Sequence, residues 1–184
     1  MDYIDAPSPN FDARTAPPDM IVLHYTGMET GEAALERLRD PTPGGRVSAH
    51  YLVEEDGRVF RMVDEARRAW HAGKSSYRGR HQCNDFSVGI ELEGTDDQRY
   101  SGAQYRRLAA VIRVLRRVVP SLAAAPVVGH SDVAPGRKTD PGPAFDWPRL
   151  EKLLVPRTRP RPARKSRPAR KPRPARKPRP SRKP

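Results

Sequence analysis

The chain changes character at Pro156, and this break limits what can fold to the residues before it. Residues 156–184 contain 14 Lys and Arg, 9 Pro and no acidic residue, in the near-repeat RPARKS, RPARKP, RPARKP, RPSRKP. Proline at such short intervals prevents a continuous helix, and unopposed positive charge prevents collapse around a core. We therefore expect a disordered basic tail over 156–184 and a single folded domain over 1–155.

The formal net charge of +13 belongs to this tail. Of the 35 Lys and Arg in the sequence, 21 lie in residues 1–155, together with all 22 Asp and Glu. The folded part is therefore nearly neutral. The tail predicts non-specific binding to nucleic acid or another polyanion that weakens as salt rises. A solvated tail without a specific partner is the alternative.

The cysteine content and the apolar segments limit the class of protein. The single cysteine, Cys83, excludes an internal disulfide framework and a cysteine-rich zinc site, and we expect it to be a structural thiol. The N-terminus lacks a basic start followed by an apolar run, and no segment approaches the roughly 18 apolar residues of a membrane span. These features predict a cytoplasmic monomer without a transmembrane segment.

Apolar strand patterns alternate with helical ones in the first 155 residues. Asp56-Gly57 predicts a hairpin turn, and Thr30, Ser101 and Asp146 are expected to cap helices. The predicted elements are strands at 20–23, 49–53, 58–63, 86–92 and 126–129, and helices at 32–38, 102–119 and from Asp146 to 154. Residues 1–19 and 66–85 are interpreted as irregular. This order predicts an α/β fold, with a central mixed β-sheet flanked by helices in one domain.

Two histidines share a context that is typical of a metal site. His24 and His130 each follow a short apolar strand and precede a loop, and strand ends are where α/β sites are built. A hydrolytic zinc site uses three protein ligands and leaves a fourth position open. The third ligand is expected to be a carboxylate, and spacing leaves Asp132 and Asp140 open. His50 remains a further possibility.

Five segments carry a resemblance to a known family. In order, they are IVLHYTG (21–27), VSAHYLVEEDG (47–57), RAWHAGKSSYRGR (68–80), CNDFSVGIELEG (83–94) and GHSDVAPGRKTDPGPAFDW (129–147). Together they resemble the amidase family that includes peptidoglycan recognition proteins and phage lysozyme-type amidases, and most closely its bacterial branch of 1,6-anhydro-N-acetylmuramyl-L-alanine amidases. The resemblance spans roughly residues 8–155 and does not extend to the tail.

The resemblance implies a reaction and its residues. It implies Zn²⁺ bound by His24, His130 and Asp140, and hydrolysis of the amide between N-acetylmuramic acid and L-alanine during peptidoglycan recycling. Glu91 matches the catalytic carboxylate of the family and Lys138 matches the lysine beside the metal. From the strand pattern alone, Glu93 is an alternative to Glu91, because both belong to the sequence GIELEG.

The same resemblance suggests which residues contact the muropeptide. The expected substrate-binding residues are Tyr25, Arg46, His50, Trp70, His71, Tyr77 and Arg80. Tyr25 departs from the Asn that close family members often have after the first zinc histidine, and loop 40–46 is short. Both departures affect substrate preference. The alternatives are therefore a broader amidase that acts on intact murein, and a non-catalytic peptidoglycan-binding protein on the same fold.

Overall fold

The computed structural model describes residues 2–155, so the predicted disordered tail lies outside the described residues. The strands are β1 (Ile4–Asp5), β2 (Phe11–Ala13), β3 (Met20–Tyr25), β4 (Tyr51–Val53), β5 (Val59–Arg61), β6 (Arg67–Ala69), β7 (Ser76–Tyr77), β8 (Arg80–His81), β9 (Ser87–Leu92) and β10 (Val127–Gly129). The α-helices are α1 (Gly31–Arg39), α2 (Gly102–Val118), α3 (His130–Val133) and α4 (Trp147–Leu154). Two 3₁₀ turns cover Cys83–Asp85 and Pro120–Leu122.

Six strands form the central sheet in the order β1-β5-β4-β9-β3-β10. β4 and β5 pair antiparallel, as the Asp56-Gly57 turn predicts, and the other four neighbouring pairs are parallel. The predicted α/β fold with a mixed sheet is confirmed. β3 and β9 are the longest strands and lie side by side, with β10 on the outer edge of β3.

The main hydrophobic core lies between the sheet and helices α2 and α4. Alternate side chains of the two central strands pack there against the apolar stripe of α2. The strands contribute Ile21, Leu23, Ile90 and Leu92, and α2 contributes Leu108, Ile112 and Leu115, all at most 1% exposed. Burying one such side chain stabilises a fold by about 1.5–3 kcal/mol. Because successive strand residues face opposite sides of a sheet, His24 and Glu91 face away from α2.

Polar side chains begin the helices where the sequence predicts them. Ser101 and Gln104 form a capping box at the start of α2, with hydrogen bonds of 3.1 Å from Gln104 N to Ser101 Oγ and 2.8 Å from Ser101 N to Gln104 Oε1. Thr30 accepts from Ala33 N at α1, and Asp146 caps α4. Each cap satisfies a backbone N–H that has no partner within its helix. The three predicted caps are confirmed.

The predicted irregular segments 1–19 and 66–85 are wrong in part. β1 adds a parallel edge strand beside β5, β2 pairs with β6, and β7 pairs with β8. These strands are two or three residues long, too short for an alternating pattern to show in the sequence. Over residues 2–155, no helix combines the length and apolar character needed to cross a bilayer.

Candidate metal centre and active site

The side chains of His24, His130 and Asp140 converge in a buried triangle. His24 Nδ1 lies 2.9 Å from His130 Nδ1 and 2.9 Å from Asp140 Oδ2, and His130 Nδ1 lies 3.0 Å from the same oxygen. The three residues are at most 4% exposed. Two imidazole nitrogens and a carboxylate oxygen are a ligand set that zinc uses in catalytic sites with one open position.

Parallel strands bring the two histidines together. His24 lies near the carboxyl end of β3, and His130 follows directly on β10, which pairs with β3. The carboxyl ends of parallel strands meet at the same edge of a sheet. Asp140 reaches this edge from the loop after α3, and a 2.9 Å hydrogen bond from Ser131 N to Asp140 O holds the loop in place.

The hydrogen bonding of His130 tests whether this triangle fits a metal ion. Its Nε2 lies 3.1 Å from the carbonyl oxygen of Ala72, which can only accept, so Nε2 carries the ring proton. In the neutral ring, Nδ1 therefore presents a lone pair to the Asp140 carboxylate at 3.0 Å. Two acceptors at this distance repel each other unless a cation lies between them. The arrangement therefore fits a cation such as Zn²⁺.

The ionisation of the triangle also suits metal binding. Burial lowers the pKa of His24 to about 4, although its contact with the Asp140 carboxylate opposes the shift, so the ring is neutral at physiological pH. Burial by itself raises the pKa of Asp140, but its contacts with His130 and His24 outweigh this effect and hold the pKa below its ordinary value. Neutral imidazoles and an ionised carboxylate are the protonation states that bind a metal.

Glu91 lies beside the triangle as a buried carboxyl group. It is 9% exposed, and its Oε2 has no hydrogen-bond partner among the described residues. Burial, and then the negative charge of Asp140, raise the pKa of Glu91 well above its ordinary value. A carboxyl group with a raised pKa and an unpartnered oxygen is suited to take up a proton and release it again.

A cavity of about 280 Å³ opens onto these groups. Besides the triangle and Glu91, its lining residues are Tyr25, Thr26, Gly27, Met28, Ala34, Arg37, Leu38, Val47, His71 and Lys138. Lys138 precedes Asp140 on the same loop and is exposed. The Tyr25 hydroxyl lies 2.9 Å from Thr139 Oγ1, which ties the residue after His24 to this loop.

The structure does not bring every expected substrate-binding residue to the cavity. Arg46 and Trp70 lie together on another surface, where the Arg46 guanidinium is 5.2 Å from the centre of the indole ring. Tyr77 and Arg80 line a third depression, and Arg80 pairs there with Asp19 at 2.8 Å. These four side chains are therefore not retained in the proposed substrate site.

His50 is also placed away from the cavity. It has no exposed surface, accepts a 2.9 Å hydrogen bond from Gly89 N through Nδ1, and lies 3.2 Å from the Arg67 carbonyl through Nε2. Its side chain faces the same side of the sheet as His24 but lies deeper, behind His71. The expected substrate contact of His50 is therefore corrected, because a side chain with no exposed surface does not reach a substrate in the cavity. It is a hydrogen-bonded core histidine.

Asp132 and Glu93, which the sequence offered as alternatives to Asp140 and Glu91, serve local structure. Asp132 Oδ2 accepts a 2.7 Å hydrogen bond from Gly129 N at the start of α3, and the metal-competent group of the described residues does not include Asp132. Glu93 accepts from Gly31 N at 2.8 Å and from Glu55 N at 2.7 Å. Glu93 therefore anchors the start of α1, and Glu91 is the carboxylate that faces the cavity.

Helix α1 and its flanks supply cavity residues that sequence reasoning missed. Met28, Arg37 and Val47 line the cavity opposite the triangle. Arg37 is half-buried, and within residues 2–155 no carboxylate lies within 4.0 Å of its guanidinium. The only signal in the sequence was the amphipathic pattern of α1, which predicts a buried face but not what that face covers.

With the fold and the triangle in place, comparison with known proteins identifies the family. The sequence profile described as N-acetylmuramoyl-L-alanine amidase matches residues 14–143. The chain belongs to the N-acetylmuramoyl-L-alanine amidase family. It is 46% identical over 166 residues to the 1,6-anhydro-N-acetylmuramyl-L-alanine amidase AmpD of Salmonella typhimurium, covering 81% of this chain and 88% of that protein.

Solved structures agree with this assignment. A crystal structure of a selenomethionine AmpD derivative superposes with a TM-score of 0.76 at 42% identity, covering 83% of this chain and 94% of that chain. The amidase AmiD from Escherichia coli, in complex with anhydro-N-acetylmuramic acid-L-Ala-D-γ-Glu-L-Lys, superposes with a TM-score of 0.65 at 34% identity, covering 77% and 60%. The predicted family is confirmed, and with it the amidase class of the enzyme.

Proposed function

We propose that this amidase is zinc-dependent and hydrolyses the amide between 1,6-anhydro-N-acetylmuramic acid and L-alanine in the recycling of peptidoglycan fragments. The observation that carries the proposal is the buried triangle of His24, His130 and Asp140 beside the unpartnered oxygen of Glu91. Residues 1–155 would form the zinc amidase domain. A receptor that only binds peptidoglycan would not need a metal site and a proton-transfer group together.

The chain's own residues would divide the chemistry between them. His24, His130 and Asp140 would hold Zn²⁺, which when bound supplies Lewis-acid polarisation of the scissile carbonyl and of the attacking water. Glu91 would accept a proton from that water as it attacks the lactyl carbonyl carbon. The carbon–nitrogen bond then breaks, and Glu91 would pass the proton to the departing alanine nitrogen.

Lys138 would stabilise the negative charge that develops on the carbonyl oxygen. Its ammonium group is carried on the loop that also carries Asp140, and it faces the cavity. A preorganised donor of this kind contributes about 3–4 kcal/mol to lowering a barrier. Because the charge exists only during the reaction, Lys138 would act on kcat rather than on ground-state binding.

Two relatives support the substrate. AmpD carries the name of a 1,6-anhydro-N-acetylmuramyl-L-alanine amidase, and the AmiD complex contains an anhydro-muropeptide as its substrate. The cavity of this chain, about 280 Å³, is bounded by Tyr25 and His71, which stay in the proposed substrate site. We also propose a cytoplasmic location, because imported fragments are processed there in recycling, and cell fractionation tests it.

The first test measures peptide release from anhydro-muropeptide by mass spectrometry. Zinc-loaded protein should release the stem peptide, and a chelator should abolish the release until zinc is restored. Glu91→Gln, prepared with the same zinc content, is the matched inactive control. Release that persists after complete removal of the metal would refute zinc dependence.

A parallel assay separates the recycling enzyme from a broader amidase. Intact sacculi are digested under the same conditions, and soluble peptide is compared with that from anhydro-muropeptide. Preference for the small fragment supports recycling, whereas equal or greater activity on sacculi favours the intact-murein alternative. Inactivity on both substrates, with zinc bound, would favour the alternative of a non-catalytic peptidoglycan-binding protein.

The basic tail would bind polyanions without sequence preference. Residues 156–184 lie outside the described residues, and the proposal rests on their 14 Lys and Arg without an acidic residue. Each phosphate that such a tail neutralises releases counterions, so affinity falls steeply with salt. Full-length protein should leave heparin at higher salt than a 1–155 truncation. Elution of both at the same salt would refute polyanion binding by the tail.

A further inference from the structure

The far sides of both histidine rings point to one short segment of the chain. His24 Nε2 lies 3.0 Å from Nδ1 of His71, and His130 Nε2 lies 3.1 Å from the carbonyl oxygen of Ala72. These two partners are consecutive residues, although the histidines they meet are 106 positions apart in the chain. A single dipeptide therefore contacts both nitrogen ligands of the triangle from behind.

The hydroxyl of Ser87 determines which way the proton of His71 points. Ser87 Oγ donates its hydrogen to the Cys83 carbonyl at 2.5 Å, so towards His71 it can only accept. His71 Nε2, at 3.3 Å from this oxygen, must then carry the ring proton. In the neutral ring, Nδ1 of His71 is therefore an acceptor, and it receives the proton of His24 Nε2.

We propose that His71-Ala72 is the positioning element of the zinc site, which holds both histidines in the tautomer whose Nδ1 lone pair faces the metal. His71 does this for His24 through its Nδ1, and the Ala72 carbonyl does it for His130. Hydrogen bonds of this kind fix the orientation and the tautomer of metal-binding histidines. The proposal rests on the proposed function, because it assigns the second layer of contacts to the same metal site.

Two neighbouring side chains hold the dipeptide in this position. The Asn84 side-chain oxygen accepts hydrogen bonds from His71 N at 3.2 Å and from Ala72 N at 2.7 Å. Arg137 donates to the Ala72 carbonyl at 2.7 Å, so that carbonyl has two donors for its two lone pairs. All three bonds are made to backbone atoms of the dipeptide, which substitution of His71 does not remove.

Strand β9 is built to leave room for the His71 ring. A methyl group added at Gly89 would lie 2.4 Å from Cγ and 2.7 Å from Nδ1 of His71, which is closer than atoms in contact can approach. On the same face of β9, Ser87 supplies the acceptor and Glu91 faces the cavity. Ser87, Gly89 and Glu91 therefore alternate along one face of β9. Ser87 orients the His71 ring, Gly89 leaves space for it, and Glu91 supplies the proposed base.

The decisive experiment follows zinc affinity together with the far-side proton of His24. In zinc-loaded protein with ¹⁵N-labelled histidine, long-range ¹H–¹⁵N spectra should show the His24 proton on Nε2, with the shift of a hydrogen-bonded N–H. In His71→Leu, which has no acceptor, this proton signal should move to the shift of an unbonded N–H, and zinc affinity in competition with a chelator should fall by about 10- to 100-fold. His71→Asn, whose side-chain oxygen can replace Nδ1 as acceptor, should recover most of this loss.

Further variants separate the proposal from simple packing. Ser87→Ala removes only the group that orients His71 and should move the His24 Nε2 proton signal in the same direction by a smaller amount. His50→Gln is the matched control, because it alters a buried histidine beside His71 that does not contact His24. It should leave the His24 Nε2 proton signal unchanged.

The outcomes also separate this proposal from the proposed function. Equal loss of zinc affinity in His71→Leu and His71→Asn, or an unchanged His24 Nε2 proton signal in His71→Leu, would overturn the positioning role. If wild-type protein bound no zinc, the zinc site would be wrong, while comparison of the His24 proton signals of wild type and His71→Leu would still decide whether His71 accepts a hydrogen bond from His24. If His71→Leu does not fold, Ser87→Ala provides the same test, and an unshifted His24 Nε2 proton signal there overturns the proposal.

Discussion

His24 and Glu91 lie directly opposite each other on the neighbouring parallel strands β3 and β9. Paired residues on adjacent strands face the same side of a sheet, so both side chains line the same cavity. The strand register, rather than a loop, therefore fixes the distance between the proposed base and a proposed metal ligand. A register shift of one residue would turn Glu91 into the core beside α2.

Glu91→Gln should abolish most of the turnover and leave the metal site intact. The amide keeps the shape of the side chain but cannot accept the proton, so kcat should fall by a factor of about 10² to 10⁴. Amidase assays and zinc analysis of the same preparation measure both effects. Glu93→Gln, at the carboxylate that anchors α1, is the control and should retain turnover. Near wild-type activity of Glu91→Gln would disprove its role as base.

Asp140→Asn should weaken zinc binding more strongly than any substitution behind the ligands. It removes the only negative charge of the triangle, so the loss should exceed the roughly 10- to 100-fold change typical of supporting residues. Chelator competition gives the affinity. Asp132→Asn is the matched control, because Asp132 caps α3 outside the triangle. Equal zinc affinities of the two variants would contradict the ligand assignment.

Lys138→Met should lower kcat with little change in KM. The apolar side chain keeps the length of lysine but cannot neutralise the developing oxyanion, which costs about 3 kcal/mol, or roughly 10²-fold in rate. Steady-state kinetics on anhydro-muropeptide separate the two constants. Lys152→Met, on α4 across the sheet, controls for loss of a surface charge. A change confined to KM would instead make Lys138 a ground-state binding residue.

Gly89→Ala should disturb zinc binding without touching a ligand. The added methyl group would lie 2.4 Å from the His71 ring, so either the ring or β9 must move. Zinc affinity should fall in the range expected for loss of a supporting contact, about 10- to 100-fold. Gly45→Ala, where the nearest atom would be at an ordinary 3.5 Å, serves as control. Unchanged zinc affinity in Gly89→Ala would show that the ring is not confined.

The metal-free protein should lose stability in mild acid, in part through His50. Burial lowers the pKa of His50 to about 3 from the ordinary 6.5, so the unfolded chain binds the proton first as pH falls. The stability that neutral His50 contributes is fully present above pH 6.5 and is lost as pH falls towards 3. Within this window one such histidine costs about 1.4 kcal/mol per pH unit.

Urea unfolding of metal-free wild type and His50→Gln between pH 7 and 4 measures this contribution. The variant cannot take up the proton, so its free energy of unfolding should fall less steeply with decreasing pH. His24 and His71 are present in both proteins, so the difference between the two curves reports His50 together with its charge coupling to His71. Parallel curves would show that His50 does not titrate between the folded and unfolded states.

Local patterns in the sequence were sufficient to predict most of the fold. The apolar runs that become β3 and β9, the turn at Asp56-Gly57 and the helix cap at Ser101 depend on neighbouring residues, and the structure confirms them. The very short strands β1, β2, β7 and β8 could not be predicted in this way. A segment of two or three residues has no period, and it becomes a strand only because a partner lies beside it.

The same distinction between local pattern and tertiary contact applies to the site. The sequence by itself predicted the kinds of ligand, two histidines at strand ends and a carboxylate, and its family resemblance selected Asp140 and Glu91. Only the tertiary structure decided that His24 and Asp140, 116 positions apart, lie 2.9 Å from each other, that His71 is behind His24, and that Arg46 and Trp70 are on another surface. The physical reason is that strand period and capping act between neighbours, whereas convergence depends on strand order, register and loop packing across the whole chain.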